Sequence, residues 1–176
     1  FLKQKKGSTP ITAVILSNTA FTPKRDPSGN FSKIAHRFSF INQVIIGSKL
    51  NNKLSVLFSV LHFHKNLVVQ NVSYNGLKEE NDVFSLGWGT RYRITKKLSF
   101  VGEYNHTLGE LRNSNNYAYY HPISCGIELE TGGHVFHINL SNSSGLIFQD
   151  LLDAESDSWG NGEFKLGFRI SRFFSL

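Results

Sequence analysis

Two histidines, His62 and His64, lie two residues apart in an apolar segment. In an extended strand this spacing places both imidazoles on one face, where they could ligate a single metal ion. The sequence offers no evident third ligand, and His134 and His137 lie on opposite parities beside a turn. We therefore predict no metal site and no cofactor, and we interpret the histidines as polar residues of an interface or a lumen.

Acidic and basic residues recur at mid-strand positions. A glycosidase-type pair of carboxylates needs two acids roughly 5 to 10 Å apart in a cleft, and a serine hydrolase needs a nucleophile with a histidine and an acid. No serine here has a recognisable motif around it, so we predict that the protein is not an enzyme. Opposite charges in a narrow interior pair with one another, because an unpaired charge there is costly. The residues predicted to face such a lumen are Arg91, Arg93, Glu103, Glu128, Glu130, Lys165 and Arg169.

A closely spaced acidic segment from Asp150 to Asp157 has carboxylates of the kind that bind calcium. It lacks the regular ligand spacing and the closing glutamate of a calcium loop, so we interpret it as a solvated outer loop. Cys125 is the single cysteine, which excludes an internal disulfide, and the sequence assigns it no chemistry.

A hairpin over residues 81–104 positions part of the charged set. Bulky apolar residues alternate there with small or charged ones, which indicates two strands around a short basic turn at Lys96 and Lys97. In a membrane barrel the apolar parity contacts lipid and the charged parity faces the interior. The residues predicted to face lipid in this and later strands are Phe84, Leu86, Trp88, Tyr92, Phe136, Ile138, Leu140, Phe164, Leu166, Phe168 and Ile170.

Eight extended segments follow one another, and their connections alternate between long and short, with short turns near residues 51, 96 and 132. Antiparallel strands return to the same edge at every second connection, so this alternation is typical of outer-membrane barrels. It predicts an all-β fold, an antiparallel up-and-down (meander) transmembrane β-barrel with about eight strands in this chain. One segment, residues 53–64, is apolar on both parities and does not reveal its facing.

Aromatic residues collect near both ends of the segments, as in the girdles of membrane barrels. An alternative is that aromatic residues are simply good strand formers. The predicted girdle residues are Tyr117, Tyr119, Tyr120 and Trp159 at the long connections, and Tyr92, Phe100, Phe173 and Phe174 near the short turns.

The 176 residues suffice for one domain, which we assign to residues 1–176. The net charge of +6 is scattered over strand ends and turns, which argues against nucleic-acid binding. No apolar run reaches about 18 residues, so no transmembrane helix is predicted. The chain has no methionine and opens with Phe1, so we interpret it as a fragment of a longer gene product.

Four stretches, HKNLV (64–68), residues 81–104, ETGGHVFHINLSNSSG (130–145) and GFRISRFF (167–174), resemble an outer-membrane β-barrel family of Bacteroidota-type Gram-negative bacteria, a domain of unknown function. Residues 1–60 resemble it only in general pattern, and this chain corresponds to the C-terminal part of the family. The resemblance implies an outer-membrane location, several N-terminal strands that this chain lacks, and a complete barrel of more than eight strands. It implies no reaction, ligand or catalytic residue.

Two functions stay open at this point. The first is a non-enzymatic outer-membrane barrel, which is either structural or a small-solute channel. Its partner is the lipid bilayer, and a small solute is a candidate second partner. The second is a soluble or periplasmic lipocalin-like barrel that binds a small apolar ligand, with the aromatic face turned inward. Lumen width, which depends on strand number, distinguishes a channel from a filled barrel. The oligomeric state is not predicted.

Overall fold

The computed structural model describes residues 2–23, 25–68, 80–110, 112, 119–143 and 157–172. The strands are β1 (Thr12–Phe21), β2 (Phe38–Lys49), β3 (Leu54–Lys65), β4 (Asp82–Arg93), β5 (Leu98–Leu108), β6 (Ile123–Thr131), β7 (His134–Ser141) and β8 (Lys165–Arg172). Two short 3-10 turns, Ile34–Arg37 and Trp159–Asn161, complete the regular structure of these residues. In the described part of the chain, no helix is both long and apolar enough to cross a membrane.

Each strand pairs antiparallel with the next in one eight-stranded sheet of order β1 to β8, and the sheet curves into a half-barrel. This confirms the predicted all-β meander. Among the described residues, β8 pairs with β7 alone, and the free side of β1 carries one isolated bridge, between Leu2 and Ala13. The eight strands therefore form a curved wall with two open edges.

The short turns owe their shape to specific residues. Asn51 Oδ1 accepts hydrogen bonds from the backbone N–H groups of Lys53 and Leu54, both at 2.8 Å. Thr95 Oγ1 plays the same role before β5. Gly132 and Gly133 both have positive φ, a conformation that glycine adopts without steric cost. All three turns lie at one edge of the sheet, and the strand ends that the long connections join lie at the other edge, as the sequence predicts. We call this second edge the long-connection edge.

The curvature gives the sheet two unequal faces. Ile41 on β2, Phe63 on β3 and Val83 on β4 are direct cross-strand neighbours, and with Leu61 they form a buried apolar cluster. We call the concave side that carries this cluster the inner face and the opposite side the outer face. The register resolves β3, whose facing the sequence left open, since its odd-numbered residues lie on the inner face.

Residues 33–49 have the alternation of one extended segment in the sequence, but the first part of this range is not extended. Residues Ile34–Arg37 form a 3-10 turn, and β2 begins only at Phe38. Arg37 Nη1 donates to the Thr22 carbonyl at 3.0 Å, and Asn66 Nδ2 donates to the Ala35 carbonyl at 2.8 Å. These contacts come from distant parts of the chain, so alternation within the segment does not reveal the turn.

Candidate functional site on the inner face

An arginine on β4 meets two carboxylates on β6, two strands away. Arg91 pairs across the β4–β5 ladder with Val101, and Glu128 pairs across the β5–β6 ladder with Ser99. Because Ser99 and Val101 are short, the Arg91 side chain extends over β5. Its Nε donates to Glu128 Oε1 at 2.7 Å, and its Nη2 contacts both Glu128 and Glu130. One guanidinium thus neutralises one of two negative charges.

The charged row continues across the next two strands. Glu128, His137 on β7 and Arg169 on β8 are successive cross-strand partners. His137 Nδ1 lies 3.8 Å from Glu128 Oε2, and His137 Nε2 lies 3.4 Å from Arg169 Nη2. We call the set Arg91, Glu128, Glu130, His137 and Arg169 the charged row. It spans the inner face from β4 to β8.

The other predicted lumen charges lie on the same face but outside the charged row. Lys165 forms an ion pair with Asp157, from the connection that precedes β8, and donates to the Asn142 carbonyl at 3.1 Å. Within the described residues, Arg93 and Glu103 take no part in these ion pairs. The structure therefore brings four of the seven predicted residues into one set, and His137 joins them. The parity of His137 in β7, opposite to the apolar Phe136 and Ile138, is the sequence signal for its place.

The outer face carries the predicted apolar set. Cross-strand register places ten of the eleven residues on this side, within β4, β7 and β8. Phe164, directly before β8, has the same parity as Leu166. Many are strongly exposed, with Trp88 at 45% and Leu166 at 73%. A lipocalin-like barrel needs this aromatic face to point inward, and here it lies opposite the buried cluster. The arrangement does not favour that alternative.

A family model described as a membrane bound beta barrel domain (DUF5777) matches residues 1–174. The chain belongs to this family. The match includes the first 60 residues, where the resemblance of individual motifs is only general. A search of curated proteins and a search of solved structures found no match. The chain is therefore a membrane-bound β-barrel domain of unknown function, which confirms the predicted family and fold; its Bacteroidota origin stays a prediction.

Two histidines of this barrel domain meet an aspartate on the outer face at the long-connection edge. His62 Nε2 and His64 Nδ1 lie 2.7 and 2.8 Å from Asp82 Oδ1. Asp82 is the partner that the sequence did not reveal, because a long connection separates β3 from β4. Both imidazoles converge on one carboxylate oxygen, and their ring centroids lie 6.4 Å apart. Within the described ranges, no group of three such side chains is arranged to hold a metal.

A second histidine pair lies at the same edge of the barrel. Tyr104 Oη is 3.2 Å from His106 Nδ1, and the His106 and His121 ring centroids are 4.2 Å apart. The Thr107 N–H donates to His121 Nδ1 at 3.2 Å, which holds the His121 ring in place before β6 begins. Burial, and then the electrostatic effect of the neighbouring His106, lower the pKa of His121 below the ordinary histidine value. His121 therefore takes up its proton at a lower pH than an ordinary histidine does.

The aromatic residues of the predicted long-connection girdle do not all face outward. Tyr119 is only 9% exposed, and its Oη donates to Thr107 Oγ1 on the inner face at 2.9 Å. The assignment of Tyr119 to an outward girdle is therefore wrong, because this hydroxyl has an inward partner. Tyr120 and Trp159 lie at the long-connection edge. Near the short turns, the predicted girdle residues Tyr92 and Phe100 are cross-strand neighbours on the outer face. The predicted girdle residues Tyr117, Phe173 and Phe174, and most of the acidic segment 150–157, lie outside the described residues.

Proposed function

We propose that this domain forms part of the wall of a water-filled β-barrel in the outer membrane of a Gram-negative bacterium, and that the barrel conducts small solutes. In this proposal the protein catalyses no reaction. That part rests on the sequence, in which no serine has a nucleophile motif around it.

The half-barrel is the observation that carries the proposal. A sheet in lipid must close, because unpaired backbone N–H and C=O groups at an open edge are costly there. Eight strands that complete only half of the curve imply that the closed barrel has more strands. Barrels of about eight strands fill their interior with side chains, whereas much larger ones enclose water. The curvature thus supports a wide lumen.

The polarity of the two faces supports the same assignment. The inner face carries the charged row, in which a polar lumen would hydrate the outermost groups such as Glu130, whose side chain is 43% exposed. The outer face presents exposed Trp88, Phe168 and Leu166, which suits contact with acyl chains. Membrane attachment is the established property of the family. The outer membrane and the solute are the proposed additions.

A structural barrel with a closed lumen is the second candidate. The charged row favours it, because Arg91, Glu128 and Arg169 are already engaged with one another or with His137, and such a row can bridge a lumen. In that case the full-length protein would be embedded but would not conduct ions.

Conductance of the full-length protein in planar lipid bilayers tests the proposal. We expect discrete steps above the lipid background. Replacement of Glu130 by glutamine removes an exposed inner-face charge and should lower the preference for cations over anions. Glu163→Gln, outside the strands, is the matched control and should leave this preference unchanged. If the protein is embedded in the bilayer but gives no conductance steps, the channel proposal is overturned and the structural barrel with a closed lumen is favoured.

A further inference from the structure

A groove of about 510 Å³ crosses the outer face over β4, β5 and β6. Its floor is a cross-strand row of short side chains, Thr90, Gly102 and Cys125, which are direct neighbours in the sheet. Val56 on β3 extends the same row. A Cβ atom at Gly102 would lie 3.5 Å from Thr90 Cγ2, so the glycine leaves free space without a close backbone contact. The groove exists because three consecutive strands carry small residues at one level.

Large aromatic and aliphatic side chains form one wall of the groove. This wall is formed by Trp88, Tyr104 and Ile123 in the adjacent outer-face row, and Phe58 continues that row beyond the groove. The Trp88 ring lies 5.6 Å from the Phe58 ring and 5.9 Å from the Tyr104 ring, so the wall is continuous. Trp159 Nε1 donates to the Ile123 carbonyl at 3.2 Å, and this bond places the indole at the end of the wall. The wall and the floor together form an elongated apolar groove on the outer face.

Among the lining residues that the structure describes, Glu103 is the one charged residue. Cross-strand register places its side chain on the inner face, so these described residues direct no charge toward the groove. A partner that fits this lining must therefore be apolar. The volume lies within the range of about 300 to 1,000 Å³ that is usual for small-molecule sites.

We propose that the groove binds one acyl chain of a membrane lipid, held in preference to the lipids around it. The proposal rests on the proposed contact of the outer face with lipid. In a membrane-bound barrel domain, acyl chains are the apolar groups that reach this face. An acyl chain in the groove contacts the small floor and the aromatic wall together, whereas elsewhere it meets only protruding side chains. The additional dispersion contacts provide the preference.

The test uses full-length protein in phosphatidylcholine vesicles that contain a phospholipid with a photoactivatable diazirine acyl chain. After irradiation, peptide mass spectrometry locates the adducts. We expect several-fold more adducts at Trp88, Ile123 and Cys125 than at Val44 and Ile46, which are exposed on the outer face of β2 outside the groove. Equal labelling at all these positions would overturn the proposal, because it would mean only unselective lipid contact.

Two variants fill the groove, Gly102→Leu and Cys125→Leu, and each should reduce the groove adducts to the level of β2. Gly47→Leu is the matched control, since Gly47 lies on the inner face of β2 and a Cβ there also has ordinary space, 3.6 Å from the Val56 carbonyl oxygen. It should leave the adducts unchanged. Unchanged adducts in both variants would overturn selective acyl-chain binding in the groove, but not the lipid-facing assignment of the outer face. Absence of adducts at every outer-face position, including Val44, would overturn the lipid-facing assignment and the groove with it.

Discussion

Replacement of Arg91 by methionine is the most direct test of the charged row. Methionine keeps much of the length and the apolar stem of arginine but has no charge and no N–H donors. The change removes the contacts to Glu128 and Glu130 together. It leaves Glu128, whose side chain is 12% exposed, as a negative charge without its main partner. The folded state should therefore lose stability.

The magnitude follows from how far the pair is removed from water. Exposed ion pairs contribute about 0 to 1 kcal/mol, whereas removal of one partner from a buried pair costs about 3 to 5 kcal/mol. The Arg91 side chain is 28% exposed, so the pair lies between these limits. We expect Arg91→Met to lower the free energy of unfolding by about 2 kcal/mol.

Urea unfolding of the full-length protein in lipid vesicles, followed by tryptophan fluorescence, measures this change. Arg93→Met is the matched control, because Arg93 lies on the same strand and face but outside the charged row, and it should cost less. A double-mutant cycle with Glu128→Gln isolates the interaction between the two side chains. Equal losses for the two arginine variants, or a coupling energy below about 0.5 kcal/mol, would refute the charged row as a source of stability.

Three further predictions concern the outer face, the close packing of strands in the sheet, and the long-connection edge. Leu166→Arg should cost about 2 to 4 kcal/mol in bilayers if this exposed residue lies near mid-membrane, measured by the same unfolding assay. Gly126→Ala should lower the yield of folded barrel, because its Cβ would clash with the Ile138 carbonyl oxygen on the neighbouring strand. Gly102→Ala, which has space for a Cβ, should fold normally. Because the pKa of His121 is lowered in the folded state, the unfolded chain binds more protons on acidification. Stability should therefore fall as the pH drops from the ordinary histidine value towards the lowered one, and His121→Gln should reduce that loss in unfolding midpoints at neutral and mildly acidic pH.

Much of the fold follows from alternation and turn chemistry. Strands β4 to β8 alternate cleanly, so their faces can be assigned from the sequence, and Asn51, Thr95 and Gly132 mark the short turns. Strand β3 is different because its two parities are equally apolar. Only pairing with β2 and β4 shows that Phe63 is buried while Phe58 is exposed.

The sequence does not predict contacts between residues that a long connection separates. Asp82 meets His62 and His64 because the β3–β4 register aligns them, and that register depends on a connection without a turn signature. The Tyr119 hydroxyl likewise finds an inward partner through the β5–β6 connection. The choice of Arg91 over Arg93 as the partner of Glu128 depends on the reach of one side chain over β5. Parity predicts a face, but it does not predict which charges on that face meet.

The gel mobility of the full-length protein, extracted from membranes in detergent and run with and without boiling, tests the central claim most directly. A closed barrel resists detergent until it is heated, because all of its strands are paired. We predict that the protein is recovered in the membrane fraction and that boiling changes its mobility. Recovery in the soluble fraction, with the same mobility before and after boiling, would contradict the account of a barrel embedded in a membrane.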